Sequence, residues 1–219
     1  MDKYDVTMMD TAKIWAKRSY CKRRKVGAVL AKDGRILATG YNGTISGKKN
    51  ECEDEYYRCT NCGHKETFIN DLISWVVIKD WDYNTGTPVV KVQSKCNYCN
   101  HMSTGKFNMS IGVDTPSMFI PNKENVVIED FIDQIYVEKV YVTNDFTVHA
   151  EQNVISFCAK NGIPTDGTTL YVTVSPCKQC SKLIAQSGIK RVVYDEPYSD
   201  TSGIDFLKET GVEIERLAR

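Results

Sequence analysis

Apolar residues recur at helical spacing near the start of the chain (Met8, Met9, Ala12, Trp15 and Ala16), which predicts a helix over residues 4–19. Two short apolar runs follow, Val26–Ala31 and Ile36–Tyr41. They read as strands joined by Lys32-Asp33-Gly34-Arg35, whose Asp-Gly pair signals a hairpin turn. Gly40-Tyr41-Asn42-Gly43 closes the second strand with residues suited to a tight loop. Regular patterning resumes at His149. Residues 150–161 suit a helix stopped by Asn161-Gly162, and Thr168–Val174 a strand. Cys177–Ser187 reads as a helix stopped by Gly188, Arg191–Tyr194 as a strand, Thr201–Thr210 as a helix and Val212–Ile214 as a short last strand. Strands alternating with helices through short loops predict a three-layer α/β domain.

The pattern breaks between residues 48 and 142. Strand-like runs occur at Ile73–Ile78, Val89–Val92 and Gln134–Val142, without a long helix. This stretch holds five of the nine cysteines, two of the three histidines and two of the three tryptophans, so it reads as an insertion with its own organisation. The expected domains are residues 1–47 with 143–219 as a core, and 48–142 as an inserted metal-binding subdomain.

Composition adds three constraints. Hydrophobic residues at 42% and charged residues at 26% allow a packed core and exclude a disordered chain. Twenty-eight basic and twenty-eight acidic residues give zero net charge, which argues against a protein that mainly coats nucleic acid. No apolar run approaches the ~18 residues of a membrane span, and Met1–Asp5 lacks the apolar core of a signal peptide. The expectation is a cytoplasmic chain with reduced thiols. An odd number of cysteines in that setting favours metal ligation over disulfides.

The sharpest chemical signal is His149-Ala150-Glu151 followed by Pro176-Cys177-Lys178-Gln179-Cys180. It is similar to the H-x-E…P-C-x-x-C signature of zinc deaminases. One imidazole and two thiolates make three zinc ligands and leave a fourth tetrahedral position for water. Both ligand groups open predicted helices, where the dipole and free N–H groups favour the thiolate. Glu151 is two residues past His149, close to the metal without ligating it, and suits a proton shuttle between water, ring nitrogen and leaving amine.

Further stretches narrow the resemblance: Arg23-Arg24-Lys25-Val26-Gly27-Ala28-Val29, Gly34 to Gly43, His149 to Asn153, Leu170 to Thr173, Ser175-Pro176-Cys177, Gly188 to Tyr194 and Tyr198-Ser199-Asp200. Through them the chain resembles the deoxycytidylate (dCMP) deaminase family of bacteria and phages. The resemblance implies a cytidine-deaminase-like α/β/α fold with a central mixed sheet, and hydrolysis of dCMP to dUMP for thymidylate synthesis. It implies Asn42, Ala150, Ser175 (through its main chain), Tyr194 and Tyr198 as substrate contacts. It also implies a homo-oligomer, often a hexamer, with dCTP and dTTP as effectors near Gly40, Tyr41 and Gly43, and Mg2+ accompanying the nucleotide. In relatives, cysteines matching Cys21 and Cys52 hold a further zinc with a ligand from a Cys-x-Arg-Thr segment before the His-Ala-Glu. Here that segment is Asn144-Asp145-Phe146-Thr147, so an insert residue would have to complete such a site. The family proline after Gly-Tyr-Asn-Gly-x is also missing, the loop running Thr44-Ile45-Ser46.

The basic run Lys17, Arg18, Lys22, Arg23, Arg24, Lys25 offers a phosphate site, since arginine binds phosphate oxygens bidentately. A solvated helix end would explain the same run. Arg18, Arg23 and Arg24 are the candidates, Arg24 foremost.

A second metal signal lies in the insertion. Cys59-Thr60-Asn61-Cys62-Gly63-His64 and Cys96-Asn97-Tyr98-Cys99-Asn100-His101 repeat one C-x-x-C-x-H pattern. Two such knuckles supply a four-cysteine structural zinc site of the ribbon kind, with His64 and His101 as possible substitutes for a cysteine. Trp75, Trp81 and Tyr83 between them could stack on bases, but buried aromatics are the commoner explanation. Rival readings are another cytosine or deoxynucleotide substrate, or a nucleic-acid-binding deaminase using the ribbon.

Overall fold

The computed structural model describes residues 2–82, 87–108 and 137–217. Contacts divide the chain into two compact units, residues 1–54 with 143–219, and residues 55–142. Along the chain come α1 (Asp5–Ala16), β1 (Gly27–Lys32), β2 (Arg35–Tyr41) and β3 (Gly43–Thr44). Next are β4 (Glu53–Cys59), β5 (Lys65–Glu66), α2 (Ile69–Leu72), β6 (Ile73–Asp82), β7 (Thr87–Cys96), β8 (Met102–Asn108) and β9 (Val137–Thr143). The chain then forms β10 (Thr147–Val148), α3 (Ala150–Asn161), β11 (Thr169–Val174), α4 (Lys178–Gln186), β12 (Arg191–Glu196), α5 (Ser202–Glu209) and β13 (Glu213–Arg216).

The first unit is built on a five-stranded sheet of order β13-β12-β11-β1-β2. β1 runs antiparallel to β2 and β11, while β11, β12 and β13 are parallel, so the sheet is mixed. β1 is buried on both faces, and its period-2 alternation divides its side chains between two cores. Ala28 and Leu30 join Val154 of α3, Ile184 of α4 and Leu207 of α5. Val29 and Ala31 join Met8, Met9 and Ala12 of α1. Helices therefore cover both faces, giving the three layers that strand–helix alternation predicts. α1 stops three residues before the expected Ser19, because Arg18 and Ser19 donate to the carbonyls of Trp15 and Ala16 in a tightened last turn.

One buried ion pair pins α1 to the sheet. Asp5 is fully buried, and its two carboxylate oxygens accept from Arg191 Nη1 and Nη2 at 2.8 and 2.7 Å. Tyr171 Oη donates to the same carboxylate at 2.9 Å. Burial alone would raise the Asp5 pKa, but the Arg191 fork and the other donors win and hold it below its ordinary value.

The second unit contains an antiparallel meander, β6-β7-β8, and a three-stranded sheet of order β5-β4-β9. Its described buried cluster comprises Cys59, Ile69, Leu72, Ile73, Cys96 and Val137. Residues 48–54 group with the first unit because Cys52 is bonded to Cys21 and Glu53 accepts from the Lys22 and Arg23 N–H groups. The expected aromatics Trp75, Trp81 and Tyr83 lie outside the described side chains, as does the start of the expected strand at 134–136. Among the described residues, no helix is long and apolar enough to cross a membrane.

Candidate active site

Three short elements place the chemistry. β3 pairs with β10 (Gly43 with Val148, Thr44 with Thr147), and β10 delivers the chain directly to His149. His149 is the N-cap of α3 in extended conformation, and its N–H donates to Gln152 Oε1 at 2.9 Å. Glu151 follows in the first turn of α3 and is buried. Cys177 is the extended N-cap of α4, with Cys180 one turn in and fully buried. α5 presses on this start: a Cβ at Gly203 would lie 2.1 Å from the Pro176 carbonyl oxygen and 2.8 Å from the Cys177 carbonyl carbon. Only glycine permits that approach.

The ligand atoms of His149, Cys177 and Cys180 all lie within 4.8 Å of one another. His149 Nδ1 is 3.6 Å from Cys177 Sγ and 3.4 Å from Cys180 Sγ. Zn–S of about 2.3 Å and Zn–N of about 2.05 Å at a tetrahedral angle require N···S near ~3.6 Å, so the three residues fit a zinc ion. Hydrogen bonds from Cys180 and His149 hold the Cys177 thiol down to about 3, and the same Cys177 contact raises the His149 imidazole. Cys180 is pushed up by its neighbour Cys177 and by burial. The three groups thus share protons that a divalent cation displaces on binding. Burial pushes the Glu151 carboxyl up, in the direction a proton carrier near neutral pH needs.

His149, Glu151 and Cys177 open onto a cleft of ≈ 330 Å³ that is also lined by Arg23, Arg24, Asn42, Ala150, Ser175 and Tyr198. A model of the cytidine and deoxycytidylate deaminase zinc-binding region matches residues 2–196. The chain belongs to the cytidine and deoxycytidylate deaminase family. Among its relatives, deoxycytidylate deaminase of Enterobacteria phage T2 is 31% identical over 210 residues, covering 95% of this chain and 89% of the relative. The enzyme of that name from Mycobacterium phage D29 is 29% identical over 191 residues, covering 87% and 93%. A crystal structure of dCMP deaminase from the cyanophage S-TIM5, in complex with dCMP and dUMP, superposes with a TM-score of 0.57 at 29% identity and 99% coverage of both chains.

Within this deaminase, the sequence-predicted residues separate into two groups. Asn42, Ala150, Ser175, Tyr198 and Arg24 meet in the cleft with His149, Glu151 and Cys177. Asn42 is also a brace: its Oδ1 accepts the Val26 N–H at 2.7 Å and its Nδ2 donates to the Arg24 carbonyl at 2.8 Å. Ser175 Oγ accepts the Tyr198 N–H at 2.8 Å, which ties the Tyr198 loop to the end of β11. Tyr194 is not brought to the cleft. It packs against the core beside Val192, because its parity on β12 puts it on the same covered face of the sheet, and the expectation for it is corrected. Arg18 is exposed and does not line the cleft, leaving Arg23 and Arg24 from the basic run. Gly40 backs onto Val154 of α3, Tyr41 stacks on Trp15 at 6.2 Å, and Gly43 pairs with Val148.

The expectation of a zinc held by Cys21 and Cys52 is also corrected. The two form a disulfide, and sulfurs bonded to each other offer no thiolate to a metal. Asn144, where relatives have a metal-binding segment, instead spends its amide on backbone: Nδ2 donates to the Glu51 carbonyl, and its N–H donates to that of Cys52. Sequence reasoning missed Glu53, Thr143, Thr147 and Ser199, all of which line the cleft. Glu53 binds the Lys22 and Arg23 N–H groups at 3.0 and 3.1 Å, and Arg23 Nη1 donates to Thr143 Oγ1 at 3.0 Å. No short-range pattern links partners some thirty to one hundred and twenty positions apart.

Proposed function

We propose that this chain hydrolyses dCMP to dUMP and ammonia, with His149, Cys177 and Cys180 as the zinc ligands. The observation that carries the reading is the convergence of those three ligand atoms, with His149, Cys177 and the buried Glu151 lining one cleft that also contains Arg23 and Arg24. Zinc at such a site supplies an activated water as the nucleophile toward C4 of the cytosine ring. Glu151 moves the protons: it takes one from that water and delivers it to ring N3, then takes the proton left on the new C4 hydroxyl and delivers it to the amine as the C4–N bond breaks and ammonia leaves. Ala150 and the Ser175 main chain hold the amino edge of the base, and Tyr198 and Asn42 the body of the nucleotide. Arg23 and Arg24 are the phosphate ligands, which favours a monophosphate over a free nucleoside.

Ammonia release from dCMP, deoxycytidine and dCTP tests this directly. Selective turnover of dCMP supports the assignment, and equal turnover of deoxycytidine removes the phosphate role. The family resemblance further supports regulation by dCTP and dTTP with Mg2+, homo-oligomeric (hexameric) assembly and a cytoplasmic setting. Sedimentation and rate measurements with and without those nucleotides test the first two.

A further inference from the structure

Four sulfurs outside the active site converge in the second unit. Cys59 Sγ lies 3.9 Å from Cys99 Sγ, and Cys62 Sγ lies 3.9 Å from Cys96 Sγ. All four atoms lie within 4.8 Å of one another. Four sulfurs at about 2.3 Å around a tetrahedral centre must stand about 3.8 Å apart. Sulfurs joined in pairs would stand at about 2.05 Å. The close contacts run between the two knuckles, so any common ligand would tie them to each other.

The backbone of each knuckle repeats the other. The Cys59 N–H donates to the His64 carbonyl at 3.0 Å, and the Cys96 N–H to that of His101 at 2.9 Å. The Gly63 N–H returns to the Cys59 carbonyl at 2.8 Å, and the Asn100 N–H to that of Cys96 at 3.0 Å. Gly63 and Asn100, at equivalent positions, take left-handed φ values of 77° and 59°, which glycine and asparagine tolerate best. These turns leave N–H donors directed at sulfur, from His64 to Cys62 and from His101 to Cys99. Asn61 Nδ2 adds a third donor, 3.4 Å from Cys99 Sγ. N–H groups aimed at sulfur stabilise thiolates, the form a soft cation binds. His64 is committed elsewhere: Nε2 pairs with Glu66 Oε1 at 2.9 Å and its ring stacks on Tyr98 of the other knuckle at 3.4 Å between centroids.

We propose that Cys59, Cys62, Cys96 and Cys99 bind one zinc ion as a tetrathiolate, separate from the catalytic ligands, and that this ion cross-links the two hairpin ends of the second unit. Cys59 and Cys96 are buried within a described cluster of only six residues, and small cores of this kind commonly depend on metal. A closed four-thiolate shell has no open position for substrate, so the ion is structural.

Metal analysis of the purified full-length protein tests the proposal. Two zinc equivalents per chain are expected, falling to one in Cys62→Ser/Cys99→Ser and, independently, to one in His149→Ala. A single zinc in the wild type that His149→Ala removes would overturn it, as would iron in place of the second zinc. Peptide mapping without reductant that finds these four cysteines in disulfides would overturn it as well. If the double variant does not fold, stepwise zinc release from the wild-type protein by a thiol-reactive mercurial decides: release of two equivalents supports two sites, and of one refutes them. Loss of the cross-link should speed protease cleavage within residues 55–142 at least tenfold, and an unchanged rate would refute the stabilising role. Retention of both zincs in His149→Ala would count against the catalytic assignment while leaving the tetrathiolate site to be decided by its own variant.

Discussion

Arg24 carries the most informative single-residue expectation. Its guanidinium lines the cleft and meets Glu196 Oε2 at 3.2 Å in an exposed pair that contributes little to stability. A charge-assisted contact to phosphate is worth about 1.5–3 kcal/mol. Arg24→Ala should therefore raise KM for dCMP about 10- to 100-fold while leaving deoxycytidine kinetics nearly unchanged; equal effects on both would remove the phosphate assignment. The motif made His149, Glu151, Cys177 and Cys180 legible, because each ligand pair is local in sequence. Arg24 was legible only as the foremost of three arginine candidates in a basic run, with a solvated helix end as the competing explanation. Glu53 was not legible at all, since its value comes from two N–H groups that the fold brings to it.

At the scale of elements, the first unit was readable because its helices bury one face at helical spacing and its central strands, buried on both faces, stand out as continuous apolar runs. The pairings between elements were not. The Asp5–Arg191–Tyr171 contact joins α1 to β11 and β12 through residues whose sequence neighbours give no sign of it. Removing one partner of a buried pair costs about 3–5 kcal/mol, and Arg191 keeps Glu215 as a second partner. Asp5→Asn should therefore lower the unfolding free energy by about 3 kcal/mol, as read by denaturant titration at pH 7. The Asp5 pKa is depressed in the folded state, so this stability is present above the ordinary value of 3.8 and is lost as pH falls below it. The difference between variant and wild type should shrink accordingly below that pH. Gly203→Ala tests a different joint. The added methyl meets the Pro176 carbonyl and must displace α5 or the start of α4. Overpacking of this kind costs about 1–3 kcal/mol, and zinc affinity should fall with it, because Cys177 is the α4 N-cap.

At the scale of the whole molecule, the patterning breaks near residue 47 and returns near 143 while contacts divide the chain after Asp54 and after Val142, and the sequence did not say how the nine cysteines divide. The structure commits two to a disulfide, two to the active site and four to the second unit, leaving Cys158 on the buried face of α3. The expectation of uniformly reduced thiols missed Cys21–Cys52, whose partners are 31 positions apart and carry no local signal. Closing a loop of that length contributes about 3–4 kcal/mol in the chain-entropy account. Cys21→Ser should lower the melting temperature measurably, and reductant should do the same to the wild type but not to the variant.

The most direct test is the rate of dUMP formation from dCMP by zinc-loaded Glu151→Gln beside the wild type, with metal content measured on the same samples. A buried carboxyl that carries every proton of the reaction predicts full retention of zinc and a loss of kcat of at least about 10³-fold. Turnover within tenfold of wild type, with zinc in place, would contradict it.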